Sequence, residues 1–184
     1  LGQNVLQKTT IDPLGQMTIE TYDAGERIVS REKKNPLGQT VFKERFCYDI
    51  SGNQAKRISS VYADGMPTKE ITIAWKYDVM GRIKEETESE QKTTFYDYDL
   101  RGRLEWKTLP SGVRLHYAYD GADRWEELTS SDGKIHYRYS YATGFDPIQI
   151  SDLVQGTILT RQYNLFGQVI SETNARGLSS RWDY

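Results

Sequence analysis

Counted backwards from a series of tyrosines, every second residue is apolar or aromatic. The runs are Ile71-Ile73-Trp75-Tyr77, Val113-Leu115-Tyr117-Tyr119 and Ile135-Tyr137-Tyr139-Tyr141, with Phe42-Phe46-Tyr48 interrupted by Glu44. The residues between them, Thr72-Ala74-Lys76 and Arg114-His116-Ala118, are largely polar. A period of two gives a strand one apolar and one polar face, whereas a helix needs spacings of three and four. The alternation resumes at Leu104-Trp106-Thr108 against Arg103-Glu105-Lys107. Two segments depart from it: Met17 and Ile19 fall on the wrong face relative to Tyr22, and Arg161 stands two residues before Tyr163. The pattern predicts no helix longer than a turn. Parity places Tyr98, Tyr117, Tyr119 and Tyr139 on one buried face, together with Trp75, Trp106, Trp125 and Trp182, and Arg114, His116 and Arg138 on the other.

These strands recur. Tyr22, Tyr48, Tyr77, Tyr98, Tyr119, Tyr141, Tyr163 and Tyr184 are spaced by 26, 29, 21, 21, 22, 22 and 21 residues. Asp23, Asp49, Asp78, Asp99 and Asp120 follow the first five; Ala142 and Asn164 follow the next two. Gly52, Gly81, Gly102 and Gly167 come four residues after their tyrosine, and Gly25 and Gly144 stand in as earlier glycines. Arg27, Arg82, Arg103 and Arg124 come at the fifth position, so the unit reads Tyr-Asp-x-x-Gly-Arg-Leu/Ile. A second glycine lies between tyrosines at Gly112, Gly133, Gly156 and Gly177; Asp12 to Gly15, Asn35 to Gly38 and Ala63 to Gly65 serve the same purpose earlier. Glycine, Asn and Asp are the residues tight turns require. Each repeat is therefore a β-hairpin, with turns near Gly102, Gly112, Gly133 and Gly156 and an undefined turn in Thr87 to Lys92.

A lone hairpin is marginal in water, so the hairpins must pair side by side, and strand twist curls such a ribbon into a wrapped or spiralling sheet. The fold class expected is all-β: consecutive antiparallel hairpin repeats forming one array over residues 1–184. Residues 1–6 read as the tail of a repeat lacking its Tyr-Asp, which marks the chain as a segment of a longer array with edges open to self-association.

Composition narrows the function. Leu, Ile, Val and Phe total 39 of 184 residues, a thin aliphatic supply that 13 Tyr and 4 Trp supplement. A formal charge of −2 argues against nucleic-acid binding, and no apolar run is long enough for a membrane helix. Cys47 is the sole cysteine, which excludes an intrachain disulfide. His116 and His136 each open a His-Tyr-x-Tyr strand in adjacent repeats, but two imidazoles lack the further ligands zinc needs. Asp97, Asp99 and Gly102 begin like a calcium loop that then fails at Arg101 and Thr108. Cys47 has no histidine beside it, and no nucleophile or phosphate-loop motif occurs. No enzyme, cofactor or metal is implied.

The Tyr-Asp units, best formed from Tyr77 to Leu104 and from Pro110 to Asp120, resemble the YD-repeat or RHS-repeat family. That family includes bacterial RHS proteins, shell components of insecticidal toxin complexes, wall-associated proteins and teneurins. The resemblance implies a spiralling sheet that at full length forms a hollow shell around toxin cargo, and a bacterial secreted or cell-surface location. Its tyrosines, aspartates, glycines and arginines carry over as structural positions: Tyr22, Asp23, Tyr48, Asp49, Gly52, Tyr77, Asp78, Gly81, Arg82, Tyr98, Asp99, Gly102, Arg103, Tyr119, Asp120, Tyr141, Tyr163 and Gly167. No catalytic residue carries over. The partners implied are the rest of the parent shell and its cargo. The alternative is an adhesin-like module whose aromatic faces bind carbohydrate or a partner protein.

Overall fold

A computed structural model describes residues 6–89 and 92–184, which form strands and turns. Residues 1–5 and residues 90 and 91, the last two within the segment where the sequence left the turn undefined, lie outside the described residues. The chain divides into two compact units, Leu1–Thr93 and Thr94–Tyr184. The first holds β1 (Leu6–Ile11), β2 (Met17–Tyr22), β3 (Ile28–Lys34), β4 (Thr40–Tyr48), β5 (Gln54–Ala63), β6 (Met66–Tyr77) and β7 (Ile83–Glu88). The second holds β8 (Lys92–Tyr98), whose first residues belong to the preceding unit, β9 (Leu104–Thr108), β10 (Arg114–Tyr119), β11 (Trp125–Ser130) and β12 (His136–Tyr141). It continues through β13 (Pro147–Asp152), β14 (Thr157–Tyr163), β15 (Val169–Thr173) and β16 (Ser179–Arg181). In each unit strand order is chain order, and every strand is antiparallel to its sequence neighbours. The all-β hairpin array expected from the alternation is the architecture found, and no helix among the described residues is long and apolar enough to cross a membrane.

Each Tyr-Asp turn is built the same way. The amide of Asp23, Asp49, Asp78, Asp99 or Asp120 donates to the carbonyl four residues on, at 2.8–2.9 Å, and the third residue after it donates back to the Asp carbonyl. That third residue lies in the left-handed region, where a Cβ clashes with the following carbonyl and glycine alone is free of penalty. Gly52, Gly81, Gly102 and Gly167 occupy it with φ of 76–88°. Two repeats differ from expectation. Gly25 does not take the left-handed role; Glu26 does, at φ 60°, and Asp123 does likewise at φ 62°. The expected turns at Gly112, Gly133 and Gly156 are present with positive φ, and Asp64-Gly65 forms a two-residue hairpin turn.

Beyond every Tyr-Asp turn the outgoing strand carries one extra residue. Tyr119 faces Trp125 while Ala118 faces Glu127, leaving Glu126 unmatched. Tyr98 faces Leu104 while Asp97 faces Trp106, leaving Glu105 unmatched. The same shift occurs at Tyr22, Tyr48, Tyr77, Tyr141 and Tyr163. A bulge of this kind reverses side-chain parity downstream. Leu104 thus shares the tyrosine face, but Trp106 lies on the opposite one beside His116, which corrects the placement read from simple alternation.

Depth is the second correction. Among the described residues no apolar side chain is buried, and Ser60 alone reaches 5 % exposure. Tyr98, Tyr117, Tyr119 and Tyr139 are half-buried rather than buried, with Arg114 and Arg138 exposed and His116 half-buried. Trp125 and Trp182 are 46 % and 41 % exposed. For these tyrosines and arginines parity orders the faces correctly, yet burial needs a second layer packed on the first, and each unit is one sheet thick.

The two segments that broke the alternation are resolved by charge. Glu20 lies on the tyrosine face with Arg31 and Glu44 in one cross-strand row, bonded at 3.0 and 3.3 Å, and the Tyr22 hydroxyl donates to Glu20 at 2.8 Å. Arg161 faces Glu172 at 2.8 Å on the neighbouring strand. Ion pairs between long side chains lying along the sheet replace apolar contacts there. Met17 and Ile19 occupy the opposite face, as their parity requires.

The left-handed Glu26 makes a direct test of the turn geometry. Its carboxylate has no hydrogen bond among the described residues, so Glu26→Gly is expected to stabilise the chain by about 1 kcal/mol in urea unfolding, the usual cost of that conformation for a side-chain-bearing residue.

Candidate functional site

The residues of the repeat signature converge at the edge where the Tyr-Asp turns lie. The Asp oxygen Oδ1 accepts the amides two and four residues on: Gly25 and Arg27 for Asp23, Met80 and Arg82 for Asp78, Arg101 and Arg103 for Asp99, Ala122 and Arg124 for Asp120, all at 2.8–3.0 Å. The second oxygen, Oδ2, receives the arginine fork, for example Nε and Nη2 of Arg103 both at 2.7 Å from Asp99. Asn35, Asn164 and Asn174 head equivalent turns with the same pair of amide bonds and no charge. An Asp therefore serves two masters that Asn serves singly: it nucleates the turn and orients the arginine.

The oriented guanidinium is laid over the tyrosine of the next repeat. Arg27 stands 4.6 Å from the Tyr48 ring centre, Arg103 4.4 Å from Tyr119 and Arg124 4.4 Å from Tyr141. That tyrosine's hydroxyl donates to the carbonyl just after the preceding repeat's arginine position: Tyr48 to Ile28, Tyr77 to Gln54 and Tyr119 to Leu104 at 2.8 Å, Tyr141 to Trp125 at 2.7 Å, Tyr163 to Pro147 at 3.0 Å. The backbone explains why a phenol is needed. Pairing of β9 with β10 runs only to Trp106, that of β11 with β12 only to Glu127, and that of β3 with β4 only to Ser30. On the side of the next repeat the carbonyl two residues earlier lies beyond the last paired residue, and the phenol supplies the donor there.

Where the signature fails, a neighbour compensates. Ala142 has no carboxylate to organise its turn; instead Arg124 reaches forward from the preceding repeat and donates Nη1 to the carbonyl of Gly144 at 2.8 Å and of Ala142 at 3.4 Å. Asp123, forced into the left-handed region, accepts Arg101 at 3.0 Å and Arg103 at 2.5 Å.

The candidate chemical residues disperse. His116 and His136 share a cross-strand row, but Thr129 stands between them; His116 stacks on Trp106 at 4.3 Å and His136 bonds Glu127 at 2.8 Å. The His136 and Arg138 bonds hold the Glu127 carboxyl below the usual range. Asp97 points to the face opposite Tyr98 while Asp99 is committed to its turn and Arg103, so the two do not converge. Cys47 is exposed on its strand. Among the described residues no group of three or more His, Cys, Asp or Glu is arranged to hold a metal. What sequence reasoning missed is the reach of the signature: the fixed Tyr, Asp and Arg spacing was plain, but not that arginine and tyrosine meet across adjacent repeats.

Two measurements test this arrangement. Tyr119→Phe leaves the Leu104 carbonyl without its donor and is expected to cost about 1 kcal/mol, whereas Tyr117→Phe, whose hydroxyl has no partner among the described residues, is expected to cost almost nothing. The turn carboxyls set the acid limit. Asp23 and Asp78 are held below the ordinary value first by the amides of Arg27 and Arg82, and Asp120 first by the Arg124 guanidinium. At Asp99 desolvation is the largest single influence and pushes upward, but the amides of Arg103 and Arg101 with the Arg103 guanidinium and its charge hold the carboxyl below the ordinary value overall. Groups depressed in the folded state stabilise it above their unfolded value and lose that contribution as pH falls through the folded one. Urea midpoints should stay level from pH 7 to about 5 and drop below about pH 4; a midpoint unchanged down to pH 2.5 would refute the role given to these carboxylates.

With this geometry in view, comparison with known proteins is informative. The family model described as RHS Repeat matches residues 98–135, which span two Tyr-Asp turns and the glycine turn between them. No curated protein matches the sequence. Solved structures share the fold. A crystal structure of TcdB2-TccC3-Cdc42 matches with a TM-score of 0.61 and 16 % identity over 92 % of this chain, and one of TcdB2-TccC3-TEV with 0.61 and 16 % over 90 %. A Tc holotoxin pore from Photorhabdus luminescens carrying a TccC3 mutation matches with 0.61 and 15 % over 92 %. The chain spans 11 % of the length of each of these proteins. By sequence at residues 98–135 and by the fold of nine tenths of its length, the chain resembles the RHS-repeat proteins, as its Tyr-Asp signature implied.

Proposed function

We propose that this chain is a non-enzymatic wall element, a stretch of an RHS-type β-sheet shell that encloses toxin cargo in a bacterial secreted or surface protein. The observation that carries this reading is the clamp between repeats. Arg27, Arg103 and Arg124, and the strand-end carbonyls of Ile28, Gln54, Leu104, Trp125 and Pro147, are completed by the tyrosine of the following repeat, so the structure is made to be continued in one direction by more of itself. A sheet one layer thick, with both faces uncovered and cohesion supplied within the layer, suits a partition better than a globular binding domain. The likeness in fold to TcdB2-TccC3 structures supports the shell reading, and the small share of those chains that it spans is in keeping with one section of such a wall. Its partners in this reading are the remaining repeats and the enclosed polypeptide.

Electron microscopy of the full-length parent protein tests the proposal. A closed particle with these repeats in its wall and density for polypeptide inside is expected. An extended array with no enclosed volume would overturn the shell reading in favour of an adhesin-like module.

A further inference from the structure

We propose that Arg124 gates the hairpin of β12 and β13: this hairpin closes only after the preceding Tyr-Asp turn has set the arginine in place, and it reopens before the strands that precede it. The other turns of this kind close themselves. Asp23, Asp49, Asp78, Asp99, Asp120 and Asn164 each donate an amide to the carbonyl four residues on and accept one from the third residue after them, and that third residue is left-handed. The stretch from Ala142 to Asp146 has none of this. No backbone bond among the described residues closes it, no residue in it is left-handed, and Ala142 has no side-chain acceptor for the amides that follow. Its carbonyls are held from outside, by Arg124 Nη1 at 2.8 Å from Gly144 and 3.4 Å from Ala142.

The order of events follows from where each half of this contact comes from. All that orients Arg124 lies within five residues of it: Asp120 takes its Nε and Nη2, both at 2.7 Å, and accepts its amide at 3.0 Å. Such a contact forms with its own turn and closes little chain, whereas Arg124 and Gly144 are separated by a whole repeat. The fork uses up Nε and Nη2, leaves Nη1 for the next turn, and lays the guanidinium 4.4 Å from the Tyr141 ring centre. Trp125, the residue after Arg124, receives the Tyr141 hydroxyl at 2.7 Å. The receiving half is therefore complete while the arriving half still has no closure of its own. Arg103 gives the contrast. It also sends Nη1 to the next turn, to Asp123 at 2.5 Å, but that turn closes on Asp120 without help. A hairpin whose turn depends on its neighbour belongs to the low end of local stability, and in a sheet of repeats it marks a set point of opening. This order of closure does not depend on whether the wall encloses cargo.

Hydrogen exchange of the whole chain tests the gate. Pulse labelling during refolding from urea, read on the unmutated chain, is expected to protect amides of β10 and β11 before those of β12 and β13. At equilibrium Arg124→Met is expected to lower protection of the β12–β13 amides about tenfold and that of β9 and β10 by no more than about twofold. Arg103→Met, ahead of a turn that closes itself, is expected to lower β10–β11 protection only about threefold, the effect of the lost ring contact. Ala142→Asn with Phe145→Gly supplies the self-closing Asn-x-x-Gly turn found at Asn35 and Asn164, and in the Arg124→Met background it is expected to raise β12–β13 protection again about fivefold. Protection arising in all strands at once or first in β13, equal losses before and after Arg124, an Arg103→Met loss as large as that of Arg124→Met, or no recovery with the Asn-x-x-Gly turn would each overturn the proposal.

Discussion

A sheet one layer thick has no interior in which to hide apolar side chains, and every other feature of this chain answers to that constraint. Without a core, adjacent hairpins are joined by their backbone ladder and by whatever lies flat upon it. The bulge after each Tyr-Asp turn shortens that ladder, because the outgoing strand departs from its next neighbour before its first residues are paired. The tyrosine of the following repeat closes the gap: its ring covers the backbone, its hydroxyl satisfies the stranded carbonyl, and a guanidinium covers the ring. The aspartate holds the guanidinium in place and forms the turn at the same time. The repeat signature is thus one device divided between two repeats.

Much of this was legible in the sequence. Alternation revealed strands, glycine spacing revealed turns, and the recurrence of Tyr-Asp gave the repeat. Three things were not legible, each for a physical reason. Depth was misjudged because parity distinguishes two faces but carries no information about what covers them; Trp125 and Tyr139 lie on the expected face with nothing packed over them. Trp106 was misplaced because one unmatched residue, Glu105, inverts the pattern after it, and a bulge has no composition of its own. Glu26 was missed because a neighbouring glycine drew the turn assignment one residue too early, although the hydrogen bonds, not the glycine, fix which residue turns left-handed. Met17, Ile19 and Arg161 departed from the alternation because cross-strand ion pairs, Glu20 with Arg31 and Arg161 with Glu172, hold the tyrosine face there.

The irregular repeat around Ala142 shows how tolerant the device is. Losing the aspartate does not undo the hairpin, since β12 and β13 still pair from Tyr137 to Tyr141 and Arg124 reaches across to hold the turn. Phe145 is exposed on this turn much as Leu100, Leu165 and Phe166 are on others.

The claim that cohesion passes from the arginine of one repeat to the tyrosine of the next is tested most directly by a double-mutant cycle on Arg27 and Tyr48, a pair 4.6 Å apart in which Arg27 otherwise bonds only Asp23 among the described residues. Urea stability would be measured for Arg27→Met, Tyr48→Leu and the double variant. The clamp predicts that the double variant loses clearly less than the sum of the two single losses, since either change alone breaks the shared contact. Strictly additive losses would show that the two residues act independently, and the account of how these repeats hold together would be wrong.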